Sequence, residues 1–375
     1  MTSFIPPNRI LMGPGPSNVH PRVLDAMARS TISHLDPKFI ELMDEIKELL
    51  KYAFQTKNKV TFAVSGPGSV GMETCLVNLV EPGSKVFVCI NGVFGGRMKS
   101  IVERCGAEAI ALNMSWGKAI DPQLFEDTLK KNTGVSVCAI VHAETSTGAK
   151  SDIKTLTEIA HKNNCLVIAD TVTSLGGIPL MIDEWNVDAT YSGSQKCLSC
   201  PPGLSPVTFN ERAVEFIKKR KSPVQSWFMD LNLILNYWSG NTKRAYHHTA
   251  PINSLYALHE ALLILKEEGI ENSWNRHQTN GERLVRELEK IGLKPFVNED
   301  ERLPQLTSVS VPAGVDEAKV RTSLLNDYNI EIGAGLGELS GKVWRIGLMG
   351  YSCNEKNIEV FVNAMKEILN EFKKL

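Results

Sequence analysis

Val60-Thr61-Phe62-Ala63-Val64-Ser65-Gly66-Pro67-Gly68-Ser69 sets a short apolar run against a glycine-rich loop, and a stretch of helical period, Gly71–Val80, follows directly. The same order recurs downstream. Short apolar runs at Lys85–Ile90, Val135–Val141, Cys165–Ala169, Ala189–Ser192 and Ser205–Phe209 flank helical stretches at Gly96–Cys105, Asp121–Lys131 and Lys154–Asn163. Strands alternating with helices of crossover length predict an α/β fold with a mostly parallel central sheet covered on both faces.

Past Pro251 the pattern changes. Asn253 to Ile291 reads as helix interrupted near Gly269. Short runs follow at Leu306–Val311, Glu317–Asp327, Glu331–Gly333 and Val343–Leu348, and a closing helix starts near Lys356. This predicts a smaller α+β domain over residues 253–375. A chain of 375 residues exceeds what one core usually serves, so a large domain before it is the natural division.

The 41 basic and 42 acidic side chains nearly cancel, so no charge pattern points to nucleic acid or an anionic membrane. No apolar run approaches the roughly 18 residues of a membrane span, and Met1 to Arg9 lacks the order of a signal segment. The partners expected are small molecules and a second copy of the chain. Eight cysteines lie scattered, several inside apolar runs such as Val86-Phe87-Val88-Cys89-Ile90, as in a reducing, cytoplasmic compartment. The terminal Lys373-Lys374-Leu375 resembles a Ser-Lys-Leu peroxisomal address with its first position changed. A basic helix end explains it as well, and that is the reading taken.

Ligands of open α/β sheets gather at the carboxyl ends of the strands, and several polar residues fall there. Lys196 closes Tyr191-Ser192-Gly193-Ser194-Gln195-Lys196. If buried, its amine loses charge and becomes a nucleophile able to form a Schiff base; a surface lysine on a turn is the even alternative. Asp170 ends Cys165-Leu166-Val167-Ile168-Ala169-Asp170, where it either keeps a pyridine nitrogen protonated or caps the next turn. The loop Ser65–Ser69 ahead of a helix suits an anion without saying which. Phe94, in Asn91-Gly92-Val93-Phe94-Gly95-Gly96, is placed to stack on a planar ring or simply to fill core. Arg345, inside the apolar Val343-Trp344-Arg345-Ile346-Gly347, needs either a substrate carboxylate or a structural ion pair. Tyr246-His247-His248-Thr249 and Cys197-Leu198-Ser199-Cys200 carry no metal spacing, and no metal is expected. Taken together, these groups meet the needs of pyridoxal phosphate.

With these positions in place the chain resembles the fold-type I pyridoxal-phosphate enzymes of the class V aminotransferase family, most of all the alanine–glyoxylate and serine–pyruvate group. The likeness covers nearly the whole chain. It rests on Gly13-Pro14-Gly15-Pro16-Ser17-Asn18, Ser65–Ser69, Glu144-Thr145-Ser146-Thr147-Gly148 and Asp170-Thr171-Val172-Thr173-Ser174-Leu175-Gly176-Gly177. Ser192–Lys196, Tyr246–Thr249 and Arg345-Ile346-Gly347-Leu348 complete it.

The resemblance implies that Lys196 holds the cofactor and shuttles the substrate's Cα proton. It implies that Asp170 pairs with the ring nitrogen, Phe94 stacks on the ring and Ser146 lies at the ring-oxygen side. Gly68, Ser69 and Gln195 would bind phosphate, joined by Tyr246 and Thr249 of the neighbouring subunit in a homodimer. Arg345 would take the substrate carboxylate beside the Gly15-Pro16 backbone, so residues 1–20 would form an arm and 21–252 the large domain. The implied reaction moves the amino group of alanine or serine to glyoxylate or pyruvate in ping-pong order. A 3-hydroxykynurenine transaminase shares the motifs. A cysteine desulfurase-like lyase is disfavoured because Gln195, not His, precedes the lysine. A nucleotide-binding protein is disfavoured because the loop has neither GxGxxG spacing nor a Walker lysine. Pro67 stands where the family usually has Ser or Thr, and it offers neither hydroxyl nor amide.

Overall fold

The computed structural model describes residues 2–238 and 244–372. Seven strands form the main sheet, in the order Val60–Ser65, Leu204–Phe209, Ala189–Tyr191, Leu166–Asp170, Val135–Val141, Lys85–Ile90 and Glu108–Asn113. Only Leu204–Phe209 runs antiparallel to its neighbours; the remaining contacts are parallel. The inner strands Leu166–Asp170 and Ala189–Tyr191 are buried at every residue, which is why they read as continuous apolar runs. The sheet is therefore the expected one, with one strand more. Glu108–Asn113 escaped the sequence reading because it is an edge strand, with only Leu112 buried and no β-branched run. The helices Pro21–Met27 and Pro37–Phe54, each opened by a proline in its first turn, were also not anticipated.

The long helical stretch breaks where glycine was expected to break it. Ile252–Glu268 ends at Gly269, whose φ of 88° suits glycine, and Ile270–Lys290 resumes. The first helix packs into the larger core through Leu255, Leu258, Leu262 and Leu265. The second contributes Leu284 and Leu288 to the smaller core around Trp344 and Phe361.

In the smaller core, Leu306–Ser310, Val343–Gly347 and Gly333–Ala334 form an antiparallel sheet; Glu317–Asp327 packs against it, and Glu355–Phe372 packs on that helix and joins the same core. The single run expected at Glu331–Gly333 is two short strands. Ile330–Glu331 pairs in parallel with the N-terminal Ile10–Leu11, and Gly333–Ala334 pairs with the arginine strand. This splitting ties the N-terminal segment into the smaller core, where Met12 is fully buried. The chain then crosses at Gly13–Pro16 to the carboxyl edge of the large sheet. The terminal Lys373-Lys374-Leu375 lies outside the described residues.

Candidate active site

Lys196 sits in a tight loop after the strand Ala189–Tyr191. Ser194 Oγ donates to the Pro201 carbonyl at 2.7 Å and Ser17 Oγ donates to the carbonyl of Lys196 itself at 2.8 Å. The lysine is 8% exposed, which decides against a surface turn residue. Its Nζ donates to the carbonyl of Pro14, so the N-terminal segment closes over it. Burial, and then the charge of Arg345, pull its pKa from 10.5 down to about 8. Gly15 is required here: its φ is 99°, and a Cβ would stand 2.7 Å from the lysine Nζ.

Asp170 ends the neighbouring strand and is buried. Tyr191 donates its hydroxyl proton to one carboxylate oxygen at 2.7 Å, and the Val172 amide donates to the other at 2.9 Å. The turn-capping reading of Asp170 is thus real, and it leaves lone pairs free on both oxygens. Burial raises its pKa to about 6 despite these bonds.

Gly68 opens the helix Gly68–Leu79 with no side-chain cap, and the Val70 amide is taken by the Pro67 carbonyl, so the amides of Gly68 and Ser69 stay available to an anion. A Cβ at Gly68 would lie 3.2 Å from Val172, so the loop packs against the turn that follows Asp170. Ser69 accepts from Arg97 at 3.0 Å, and the Arg97 guanidinium stands 5.0 Å over the Phe94 ring. Gln195 has a buried side-chain oxygen with no partner; turning that amide places a donor there.

Tyr246 and Thr249 are exposed, and within one chain neither hydrogen-bonds to the loop. Their neighbour His248 does, through Ser65 Oγ at 2.9 Å. His247 Nδ1 lies 2.8 Å from His248 Nδ1, and Trp227 stacks on His247 at 4.6 Å.

Arg345 is buried in mid-strand, opposite Ser308 and Gly333. It donates to the carbonyls of Ala334 at 2.7 Å and Thr145 at 3.1 Å, and among the described residues it makes no ion pair. The structural ion-pair explanation therefore fails, and part of the guanidinium fork remains to be matched by a carboxylate. Desolvation lowers its pKa to about 10 against the pull of Glu144 and Glu331.

Two site residues had no role assigned from sequence. Tyr191, the last residue of the strand Ala189–Tyr191, reads as an ordinary core aromatic. Glu144 follows the apolar run Val135–Val141 much as Asp170 follows its own, and that position was the available signal. The Glu144 carboxylate is fully buried beside Ser146 and the start of the helix Val93–Arg104.

The residues fit pyridoxal phosphate: a buried amine of lowered pKa, a buried carboxylate with spare lone pairs, an uncapped helix start and an unpartnered Gln195 amide. Comparison with known proteins agrees. The aminotransferase class-V family profile matches residues 10–360. Alanine–glyoxylate aminotransferase of Rattus norvegicus is 41% identical over 97% of this chain and 88% of its own. (S)-ureidoglycine–glyoxylate transaminase of Bacillus subtilis is 36% identical over 97% of this chain and 91% of its own. The crystal structure of alanine–glyoxylate aminotransferase from a Nostoc species superposes with a TM-score of 0.96 at 46% identity, covering 98% and 97% of the two chains. A buried lysine, a strand-end aspartate and an unpaired arginine, in a chain matched along nearly its whole length, make this protein a pyridoxal-phosphate-dependent transaminase of the class V aminotransferase family.

Proposed function

We propose that the chain transfers the amino group of alanine or serine to glyoxylate or pyruvate in ping-pong order, with Lys196 as the residue that attaches the cofactor. The observation that carries this reading is the grouping of the Lys196 amine, the Asp170 carboxylate and the unpaired Arg345 around one edge of the sheet. The relatives add the acceptor: alanine–glyoxylate and (S)-ureidoglycine–glyoxylate enzymes share glyoxylate and differ in donor.

When bound, pyridoxal phosphate supplies the electrophilic carbonyl and the electron sink. Asp170 would hold a proton on the ring nitrogen, and Phe94 would lie against the ring face. Gly68, Ser69 and Gln195 would take the phosphate. Tyr246 and Thr249 would reach it from the neighbouring subunit of a homodimer, which accounts for their exposure in a single chain. Arg345 would bind the substrate carboxylate near Gly15, and Lys196, freed from the cofactor, would move the proton at the substrate Cα. Residues 1–20 act as the arm, 21–252 as the cofactor domain and 253–375 as linking helix and small domain. All eight cysteines are free and buried, which supports a reducing, cytoplasmic site of action. No helix among the described residues is long and apolar enough to cross a membrane.

A half-reaction screen tests the reading. Alanine or serine should bleach the visible band of the purified holoenzyme, and glyoxylate or pyruvate should restore it. Bleaching by 3-hydroxykynurenine alone, or sulfide release from cysteine with no oxo acid needed, would replace this assignment.

A further inference from the structure

The helix Val93–Arg104 carries Phe94 at its start, yet its own N-cap, Gly92, has no side chain to satisfy the first-turn amides. The caps come from about 50 residues downstream. Val93 N donates to Ser146 Oγ at 3.0 Å and Phe94 N to Glu144 Oε2 at 3.2 Å, while the Gly95 amide also bonds Glu144. The other carboxylate oxygen, Oε1, accepts from Ser146 N at 3.0 Å and Ser146 Oγ at 2.6 Å. Four donors therefore converge on two oxygens, and a carbonyl next door, Thr145 O, holds Arg345.

That arrangement asks for a group that only accepts, which is an ionised carboxylate. A protonated acid or an amide would set a donor against at least one of the four. Burial raises the Glu144 pKa on balance, and these bonds oppose that rise. The bond geometry shows which protonation state the site is built for.

Ser146 is constrained in turn. Its single hydroxyl proton goes to Glu144 and one lone pair receives the Val93 amide, so toward any third partner it can only accept. Space is equally restricted: a Cβ at Gly92 would lie 2.4 Å from both Glu144 Cδ and Ser146 Oγ.

We propose that Glu144 is a positioning residue that clamps the Phe94 helix start to Ser146 and fixes the Ser146 hydroxyl in place at the ring-oxygen side of the cofactor site. This rests on the cofactor placement proposed above. Phe94 and Ser146 then present a ring face and a ring edge in one rigid unit, and the same segment steadies Arg345 through Thr145.

The test uses Glu144→Gln holoenzyme, with Gly92→Ala as a second variant that disturbs the clamp without removing the charge. Two readouts are taken: the near-visible circular dichroism of bound cofactor, which reports ring orientation, and the pH midpoint of the visible absorbance, which reports the ring's hydrogen-bond partners. Both variants should change the dichroism, shift that midpoint and raise the cofactor Kd on the order of tenfold, the scale of losing a charge-assisted bond. A Glu144→Gln or Gly92→Ala protein that folds, binds cofactor and keeps both signatures would overturn the proposal. If wild type itself binds no cofactor through Lys196, the underlying placement has failed instead, so the two failures are distinguishable. Should Glu144→Gln not fold, Gly92→Ala decides alone.

Discussion

The carboxyl edge of the large sheet and the centre of the small sheet both bury polar groups, by opposite means. At the large sheet, Lys196 and Asp170 stand beyond or at the ends of strands, where loops and the N-terminal segment cover them. Each is shifted toward neutrality, the amine to about 8 and the carboxyl to about 6. Arg345 lies in mid-strand, flanked by Ser308 and Gly333, and stays charged, because desolvation lowers its pKa only to about 10 against the pull of Glu144 and Glu331. One region makes groups that exchange protons. The other makes a fixed cation. On the roles proposed above, covalent and proton chemistry belong to the large sheet and substrate grip to the small one, and each can be broken separately.

The largest effect should come from Lys196→Ala. Removing the nucleophile and the proton carrier together should lower kcat/KM by roughly 10³-fold or more and abolish the visible band of bound cofactor. A variant that keeps both would dissolve the distinction between the two regions. Arg345→Lys should act differently. A lysine replaces the fork by a point charge, so KM for both the amino acid and the oxo acid should rise about 10- to 100-fold while kcat changes little. Steady-state kinetics with each substrate varied in turn checks this; a fall in kcat at unchanged KM would place Arg345 in the chemistry instead of the grip.

A gentler contrast lies in pH. A lysine amine with its pKa lowered to about 8 loses its proton as pH rises through that value, so capture of added pyridoxal phosphate by apoprotein should climb to pH 8 and level above it. Stopped-flow absorbance over pH 6.5 to 10 measures it. A rate still rising steeply at pH 10 would mean the amine keeps its ordinary value of 10.5. Arg345 contributes nothing to such a curve below its own midpoint near 10.

What the sequence disclosed follows the same division. Asp170 and Arg345 stood out because each breaks an apolar run, and Lys196 because it follows a buried strand among small residues, an unusual place for a solvated cation. The inner strands were readable because both of their faces are buried. Glu108–Asn113 was not, since an edge strand half in solvent loses that signal. Glu144 sat inside a quoted motif, yet nothing local says that its carboxylate turns back to the amides of residues 94 and 95. Gly15 was placed by family likeness, and only the folded chain shows its backbone pressed on the lysine. Contacts made by short-range pattern were legible; contacts made by chain crossing were not.

Pro67 is the smallest test and concerns the anion loop alone. Its φ of −66° and ψ of 170° place it as the N-cap of Gly68–Leu79, where it contributes a carbonyl to the Val70 amide at 2.7 Å and no side-chain acceptor or donor. On the placement proposed above, the phosphate would then lean on Gly68, Ser69, Gln195 and the proposed partner subunit. In Pro67→Thr the extended backbone is one that threonine adopts readily, and its hydroxyl gains reach of the anion. One neutral-to-charged hydrogen bond should lower the cofactor Kd by a few-fold to about tenfold. Equilibrium dialysis of wild type against the variant measures the change, and Lys196→Ala paired with Pro67→Thr separates it from covalent attachment. Equal retention in both backgrounds would show that the proline costs nothing, and that the amides of this helix start already saturate the phosphate.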